Sequence, residues 1–348
     1  MRGAWIDRRN LLTVAMAALS GLPGRAAHAQ GKPEKTRVTV ATGARASLNC
    51  LPLTIADRLG YFGAEGLEVD LQDFGGGLRS LQAVQDGTGD IVAGAFEHTI
   101  SLQAKNQGFT AFVLLGRAPQ VALGVSNRAM PSYKNIGDLK GRRVGVTMAG
   151  SSSALVAKLV LLRGGLKPQD VHFVELPVPA AAVAAVRAGQ VDAISHTEPV
   201  MTVLEHKAEL RIIADTRSLR GAQELFGGPV AGHCLYAPTD YLQKNPRTVQ
   251  AIANAVVHAL KWLQTAGPSD IIKVVPEAYL LGDRGVYLAS FNKVREAIAV
   301  DGVIPDEGAR TVLRTMARLD PALVPERIDL TKTFTNEFAR RAKDRFRA

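Results

Sequence analysis

Short apolar runs closed by turn residues alternate with longer stretches that carry an apolar stripe. Positions 36–41 alternate and predict a first strand, followed by a polar turn over 43–49 and an amphipathic helix over 51–59. Further strands are predicted over 67–74, 90–95 and 110–115, with helices over 78–85 and 97–107. This alternation predicts a parallel sheet with helices on both faces. The apolar run 121–126 reads as a crossing into a second lobe, and the pattern restarts at Arg142. Strands are then expected over 144–146, 171–176, 191–194 and 210–214, and helices over 154–163, 180–188 and 198–206. The run 230–237 reads as a return strand to the first lobe. Beyond Asn245 the period is helical, over 248–263, 271–281, 286–300, 308–319 and 331–346, with Gly and Pro at the breaks. These last helices are expected to cover the first lobe.

The candidate chemistry gathers around one strand–turn–helix unit. The small-residue turn Ala149, Gly150, Ser151, Ser152 and Ser153 lies between the strand at 144–146 and the following helix. Such a turn points free N–H groups and hydroxyls at an anion or polar ligand, and the same serines equally serve as helix caps. A second pattern occurs twice. Asp86-Gly87-Thr88-Gly89-Asp90 before one apolar strand echoes Arg187-Ala188-Gly189-Gln190-Val191-Asp192 at another. Each of those strands ends in polar residues, Glu97 and His98 after Phe96, and His196, Thr197 and Glu198 after Ser195. In open α/β sheets ligands sit beyond the carboxyl ends of strands, so two such edges facing each other make a cleft.

With 348 residues the chain can build two cores, and its 5% aromatic content argues against a stacking platform for nucleic acid. Arg8 and Arg9 precede an apolar run that ends near the small-x-small site Ala27-His28-Ala29, so residues 1–29 read as a secretory signal. The twin arginine leaves both the Sec and the twin-arginine routes open. Cleavage after Ala29 would take away four arginines and one aspartate, lowering the formal net charge from +10 to +7. The remaining basic residues are dispersed, which excludes a nucleic-acid groove and leaves a diffuse field favouring anions. Cys50 and Cys234 could pair in an oxidising compartment or remain buried thiols.

Three motifs carry a family resemblance: Ile55-Ala56-Asp57-Arg58-Leu59-Gly60-Tyr61-Phe62-Gly63-Ala64-Glu65-Gly66-Leu67, Ile136-Gly137-Asp138-Leu139-Lys140-Gly141-Arg142-Arg143-Val144-Gly145-Val146, and Val191-Asp192-Ala193-Ile194 with Glu198-Pro199. In this order and spacing they resemble the periplasmic solute-binding component of an ABC importer of the nitrate/sulfonate/taurine family. The fold is also that of thiamine-pyrimidine synthases. The resemblance implies an α/β periplasmic binding protein of type II, with two lobes, each a mostly parallel sheet flanked by helices. Lobe 1 would comprise 36–120 and 232–348 and lobe 2 would comprise 121–231, joined by two crossing segments that allow hinge closure. The ligand-lining positions it implies are Ser47 and Asn49, then Phe96, Glu97 and His98. In the second lobe they are Thr147, Ala149, Gly150, Ser151 and Ser152, then His196, Thr197 and Glu198.

The ligand implied is a small polar or anionic organic solute such as a sulfonate, taurine or nitrate. The serines and Asn49 suit it, whereas Glu97 beside His98 suits a heterocyclic amine or a thiamine pyrimidine precursor. The partners implied are an ABC permease and its ATPase, with the chain a periplasmic monomer that meets the membrane only through the permease. A periplasmic ligand sensor is the other binding role. An enzyme on the same fold has little support, because no cysteine-rich iron-binding stretch, G-x-S-x-G elbow, H-E-x-x-H, P-loop or dinucleotide fingerprint occurs. No cofactor and no metal site is expected. Glu97, His98, His196 and Glu198 are metal-ligand types, but neither pair has helical i, i+4 spacing.

Overall fold

The computed structural model describes residues 31–348, so the signal segment expected over 1–29 lies outside the described residues. The strands are β1 Arg37–Thr42, β2 Glu68–Asp73, β3 Ile91–Ala95, β4 Phe109–Leu114, β5 Val121–Ser126, β6 Arg143–Val146, β7 His172–Glu175, β8 Ala193–Thr197, β9 Leu210–Asp215 and β10 His233–Pro238. The first seven helices are α1 Leu51–Arg58, α2 Tyr61–Ala64, α3 Gly77–Gln85, α4 Glu97–Ala104, α5 Ser152–Arg163, α6 Pro179–Arg187 and α7 Val200–His206. The later ones are α8 Leu219–Phe226, α9 Thr239–Lys244, α10 Pro246–Thr265, α11 Pro268–Val274, α12 Arg284–Val294, α13 Asp306–Leu319 and α14 Glu337–Phe346.

The strands form two five-stranded sheets with orders β2-β1-β3-β10-β4 and β7-β6-β8-β5-β9. Both sheets are mixed by the same device. β10 runs antiparallel between β3 and β4, and β5 runs antiparallel between β8 and β9. These are the two crossing strands. β5 starts at the carboxyl edge of the second sheet, where Val121 pairs with Thr197. β10 starts at the carboxyl edge of the first, where His233 pairs with Ala95. A chain that arrives from the opposite sheet enters at that edge and can only run backwards. Every residue of β3, β4 and β5 is buried, which is why these segments read as continuous apolar runs.

The echoed motif is a structural repeat at the far end of the sheets. Asp90 accepts the Thr39 N–H at 2.9 Å and Asp192 accepts the Arg143 N–H at 2.8 Å. Each aspartate thereby staples the strand that leads into its sheet's cleft-side turn. The Arg143 guanidinium also grips Asp192, which holds that carboxyl below its ordinary range.

Two differences from the predicted elements have physical causes. No element is predicted over 219–226, yet α8 forms there, capped by Ser218 and ended by Gly227 at φ +78°. Gly221 is needed for packing, since a Cβ on it would stand 1.8 Å from the Asp215 carbonyl oxygen. The C-terminal helices were expected on the first sheet, and α10 and α14 do pack on its β4. By contrast, α12 packs on α7, and α13 packs on α5 and α8 as well as on α4. The last part of the chain therefore touches helices of both sheets. No helix among the described residues is long and apolar enough to cross a membrane.

Candidate functional site

A cavity of about 80 Å³ lies where the carboxyl ends of β1, β3, β6 and β8 meet the start of β10. Ser47, Asn49 and His98 line it from the first sheet, and Thr147, Ser151, Ser152, His196 and Thr197 from the second. A larger depression of about 830 Å³ lies elsewhere, beside Phe109 at the amino end of β4, Leu242 and Phe338. It is wide, borders only the first sheet, and has no buried titratable cluster, so the smaller cavity is the candidate site.

On the first side the β1–α1 turn is shaped by Ser47, whose Oγ accepts the Asn49 N–H at 3.4 Å as the cap of a short 3-10 turn. The Asn49 side chain makes no hydrogen bond among the described residues, so its amide is free for a ligand. Cys50 follows it into the cavity wall. Both cysteines are buried free thiols. Burial, with Asp73 nearby, pushes the Cys50 thiol up to about 12. At the end of β3, His98 is 4% exposed, with Nδ1 2.8 Å from the Tyr236 hydroxyl. Its Nε2 is buried and has no hydrogen-bond partner. Burial lowers the His98 ring to about 4, although the nearby Gly150 carbonyl favours the charged form. His233 completes this side and was not among the residues singled out in the sequence. Burial and the neighbouring His98 lower it to about 3.

On the second side Ser151 is the N-cap of α5: its Oγ accepts the Ala154 N–H at 3.3 Å and donates to the Met148 carbonyl at 2.7 Å. Ser153 Oγ accepts the Thr147 N–H at 2.9 Å, which fixes the end of β6 against the helix. His196 is locked in one neutral form. Its Nδ1 accepts the Thr197 N–H at 3.0 Å, so the proton sits on Nε2 and is donated to the Leu176 carbonyl at 3.1 Å. Burial also lowers the His196 ring. Both nitrogens are thus used by the fold, and His196 offers the cavity only its carbon edge.

Three hydrogen bonds cross the cleft. Ser152 Oγ donates to Glu97 Oε1 at 2.6 Å, Ser47 Oγ donates to Thr197 Oγ1 at 3.3 Å, and the Leu48 N–H donates to the Glu198 carbonyl at 3.2 Å. Burial raises the Glu97 carboxyl, against the lowering effect of the Ser152 hydroxyl. The backbones also come close. A Cβ on Gly76, whose φ is +139°, would stand 1.9 Å from Met148 Sδ on the other side.

Five of the positions implied by the resemblance do not line the cavity. Phe96 is wholly buried in the core, edge-on to Phe334. The Ala149 N–H is taken by Glu175 Oε1 at 2.8 Å, and Ala149 and Gly150 face solvent. Glu198 is turned away into an ion pair with Arg217 at 2.7 Å, where it also accepts the Thr202 N–H and hydroxyl. Glu97 reaches the site only through Ser152. Among the described residues no group of three or more His, Cys, Asp and Glu is placed to hold a metal ion.

Residues 47–268 match the family described as NMT1/THI5 like. The chain belongs to the NMT1/THI5-like family. A solved structure from Bordetella bronchiseptica RB50 is 48% identical, with a TM-score of 0.89 over 91% of this chain and 100% of that one. The alkanesulfonate-binding protein SsuA from Xanthomonas axonopodis pv. citri, solved with MOPS, has a TM-score of 0.70 at 18% identity, covering 87% of this chain and 99% of SsuA. That likeness is one of fold: the NMT1/THI5-like chain has the two-lobed α/β architecture of periplasmic binding proteins. A Brucella abortus protein, named only as a binding protein, is 26% identical over 226 residues, which are 63% of this chain and 65% of that relative's length. The matched family segment contains every cavity-lining residue named above and ends just after α10.

The family member's two neighbouring serines have separable roles. Ser151→Ala removes a helix cap and should cost about 1 kcal/mol of stability in urea unfolding. Ser152→Ala removes only the bridge to Glu97 and should instead loosen the closed form. A loss of stability in Ser152→Ala equal to that in Ser151→Ala would contradict this division.

Proposed function

We propose that the chain is the extracytoplasmic solute-binding component of an ABC importer. In this reading residues 1–29 are removed on export, and lobe 1 (36–120 and 232–348) and lobe 2 (121–231) close on a small polar solute. Delivery is to a membrane permease with its ATPase, by a monomer and without catalysis. The observation that carries the reading is the cavity itself: it is walled by turns from both sheets, and three hydrogen bonds already span it. Such a site is completed only when the lobes meet, which couples occupancy to closure.

The sulfonate, taurine or nitrate expected from the resemblance would be held by hydroxyls and N–H groups, since no lysine or arginine is among the residues lining the cavity. That observation favours the alternative expectation of a solute without a full negative charge, such as a heterocycle.

Closure gives the test. Gly76→Ala puts a methyl group into Met148 and into a backbone conformation that L residues rarely adopt, so it should hold the lobes apart. Taurine, methanesulfonate, nitrate, acetamide and urea are screened by thermal shift on the wild type. Small-angle scattering with the best stabiliser should show a smaller radius of gyration. In Gly76→Ala the contraction should be lost and the affinity should fall by about tenfold or more. Full affinity in Gly76→Ala, or a bound state as extended as the free one, would overturn the reading.

A further inference from the structure

The hydrogen-bond pattern of one buried histidine says what the cavity reads. The Tyr236 side chain is fully buried, and its hydroxyl proton has one acceptor among the described residues, His98 Nδ1 at 2.8 Å. A buried hydroxyl left without an acceptor is costly, so Tyr236 donates and Nδ1 accepts. In the neutral ring the proton then sits on Nε2. That Nε2 is buried, makes no hydrogen bond of good geometry although the Gly150 carbonyl of the second sheet stands near the ring, and belongs to a residue that lines the cavity. Gly77 lets the β2–α3 turn of the same sheet approach the ring, since a Cβ there would stand 3.3 Å from His98 Cε1. His98 is therefore a fixed, uncharged N–H donor.

The other free groups are of the same kind. The Asn49 amide is unpartnered, and the first N–H groups of α5, at Ser152 and Ser153, find no acceptor among the described residues. No Lys, Arg, Asp or Glu is among the lining residues. A helix end supplies N–H groups and about half a charge, but no full positive charge faces the cavity to offset the desolvation of a whole anion. Glu97, bonded to Ser152 at the wall, adds carboxyl oxygen rather than positive charge.

We propose that this cleft selects uncharged solutes bearing a hydrogen-bond acceptor, a carbonyl, sulfonyl or ring nitrogen, and that His98 Nε2–H, locked by Tyr236, is the donor that reads it. The proposal rests on the cleft being the solute site, and it names the charge class of the ligand there. His98 is a specificity residue and Tyr236 a positioning residue.

The groups that could disturb the lock are few. They are Glu97 beside His98 on α4, and His233, Cys234 and Tyr236 on β10. From the second sheet comes the Gly150 carbonyl. Burial keeps the His98 ring neutral down to about 4 and pushes the Tyr236 hydroxyl and the Cys234 thiol well up, so the arrangement should hold across neutral pH.

Two measurements test this. The first needs no ligand: ¹⁵N NMR of the histidine rings between pH 6 and 8 should show His98 uncharged, with its proton on Nε2. In Tyr236→Phe, which keeps the bulk, that tautomer should lose its dominance. A charged His98 at pH 7, or a proton on Nδ1, would overturn the lock. The second compares neutral and anionic probes of like shape by calorimetry at pH 7.5: methanesulfonamide against methanesulfonate, acetamide against acetate, urea against nitrate. The neutral member should bind at least about tenfold more tightly in any pair that binds, and His98→Phe should abolish the preference. Tighter binding of the anions would overturn the charge class and leave the solute-binding reading intact. Six silent probes would overturn it as well, and the solute-binding reading would then stand or fall on the closure of wild type against Gly76→Ala.

Discussion

Acidifying the Glu97→Gln variant from pH 7.5 to 5.0 should lower its unfolding free energy by on the order of 4 kcal/mol. Burial holds His98 at about 4 and His233 at about 3, against 6.5 for the free ring. Below 6.5 the unfolded chain takes up protons that these folded rings refuse, so stability is complete above that pH and falls as pH drops toward the folded values. Each ring then contributes about 1.4 kcal/mol per pH unit, and His196, lowered by its own burial, acts in the same direction. The Gln substitution matters because burial raises Glu97, whose protonation stabilises the folded state as pH falls and opposes the histidines. Urea unfolding at a series of pH values measures the slope. A flat profile between pH 6.5 and 5.0 would mean that the rings are charged, or solvated, in the folded protein. It would remove the uncharged donor at the cleft as well.

Arg217→Met should cost about 3–5 kcal/mol of stability. The Arg217 side chain is 3% exposed and Glu198 is fully buried, with 2.7 Å between them. The same guanidinium holds Asp215 at 2.5 Å and Glu205 at 3.1 Å. Burial works against the arginine's charge, but Asp215 and Glu198 more than offset it. Removing the cation leaves Glu198 as a buried, unpaired carboxylate on the segment whose carbonyl accepts Leu48 from the other sheet. Adding Glu198→Gln should recover part of the loss, since the stranded charge is then gone. If Arg217→Met unfolds at the wild-type urea midpoint, the cluster is not holding this corner together.

Much of this fold was legible because its strands are short apolar runs closed by glycine and polar turns, and because a Gly-x-x-Asp stretch, Gly87 to Asp90 and Gly189 to Asp192, precedes one strand of each sheet. The crossing segments were legible too, as the apolar runs 121–126 and 230–237. That both run backwards within their sheets was not, because direction is set by where the chain arrives and leaves no mark in the sequence. The cleft was partly legible: Asn49, His98 and Ser152 stand at strand ends in turns that the pattern marks. Glu198 looked equally polar and equally well placed, but its partner Arg217 is nineteen positions away in sequence and meets it only in the fold. His233 was missed for the opposite reason: it lies in the run read only as the return strand to the first lobe, and only the antiparallel register beside Ala95 brings it to the cavity.

The most direct measurement is crystallographic density for the solute that stabilises the protein most in the thermal-shift screen. The solute should lie between the sheets, within hydrogen-bonding distance of His98 Nε2 and Asn49 on one side and of Thr147 or Thr197 on the other. Density beside Phe109 and Phe338 instead, or contacts from one sheet alone, would contradict the account.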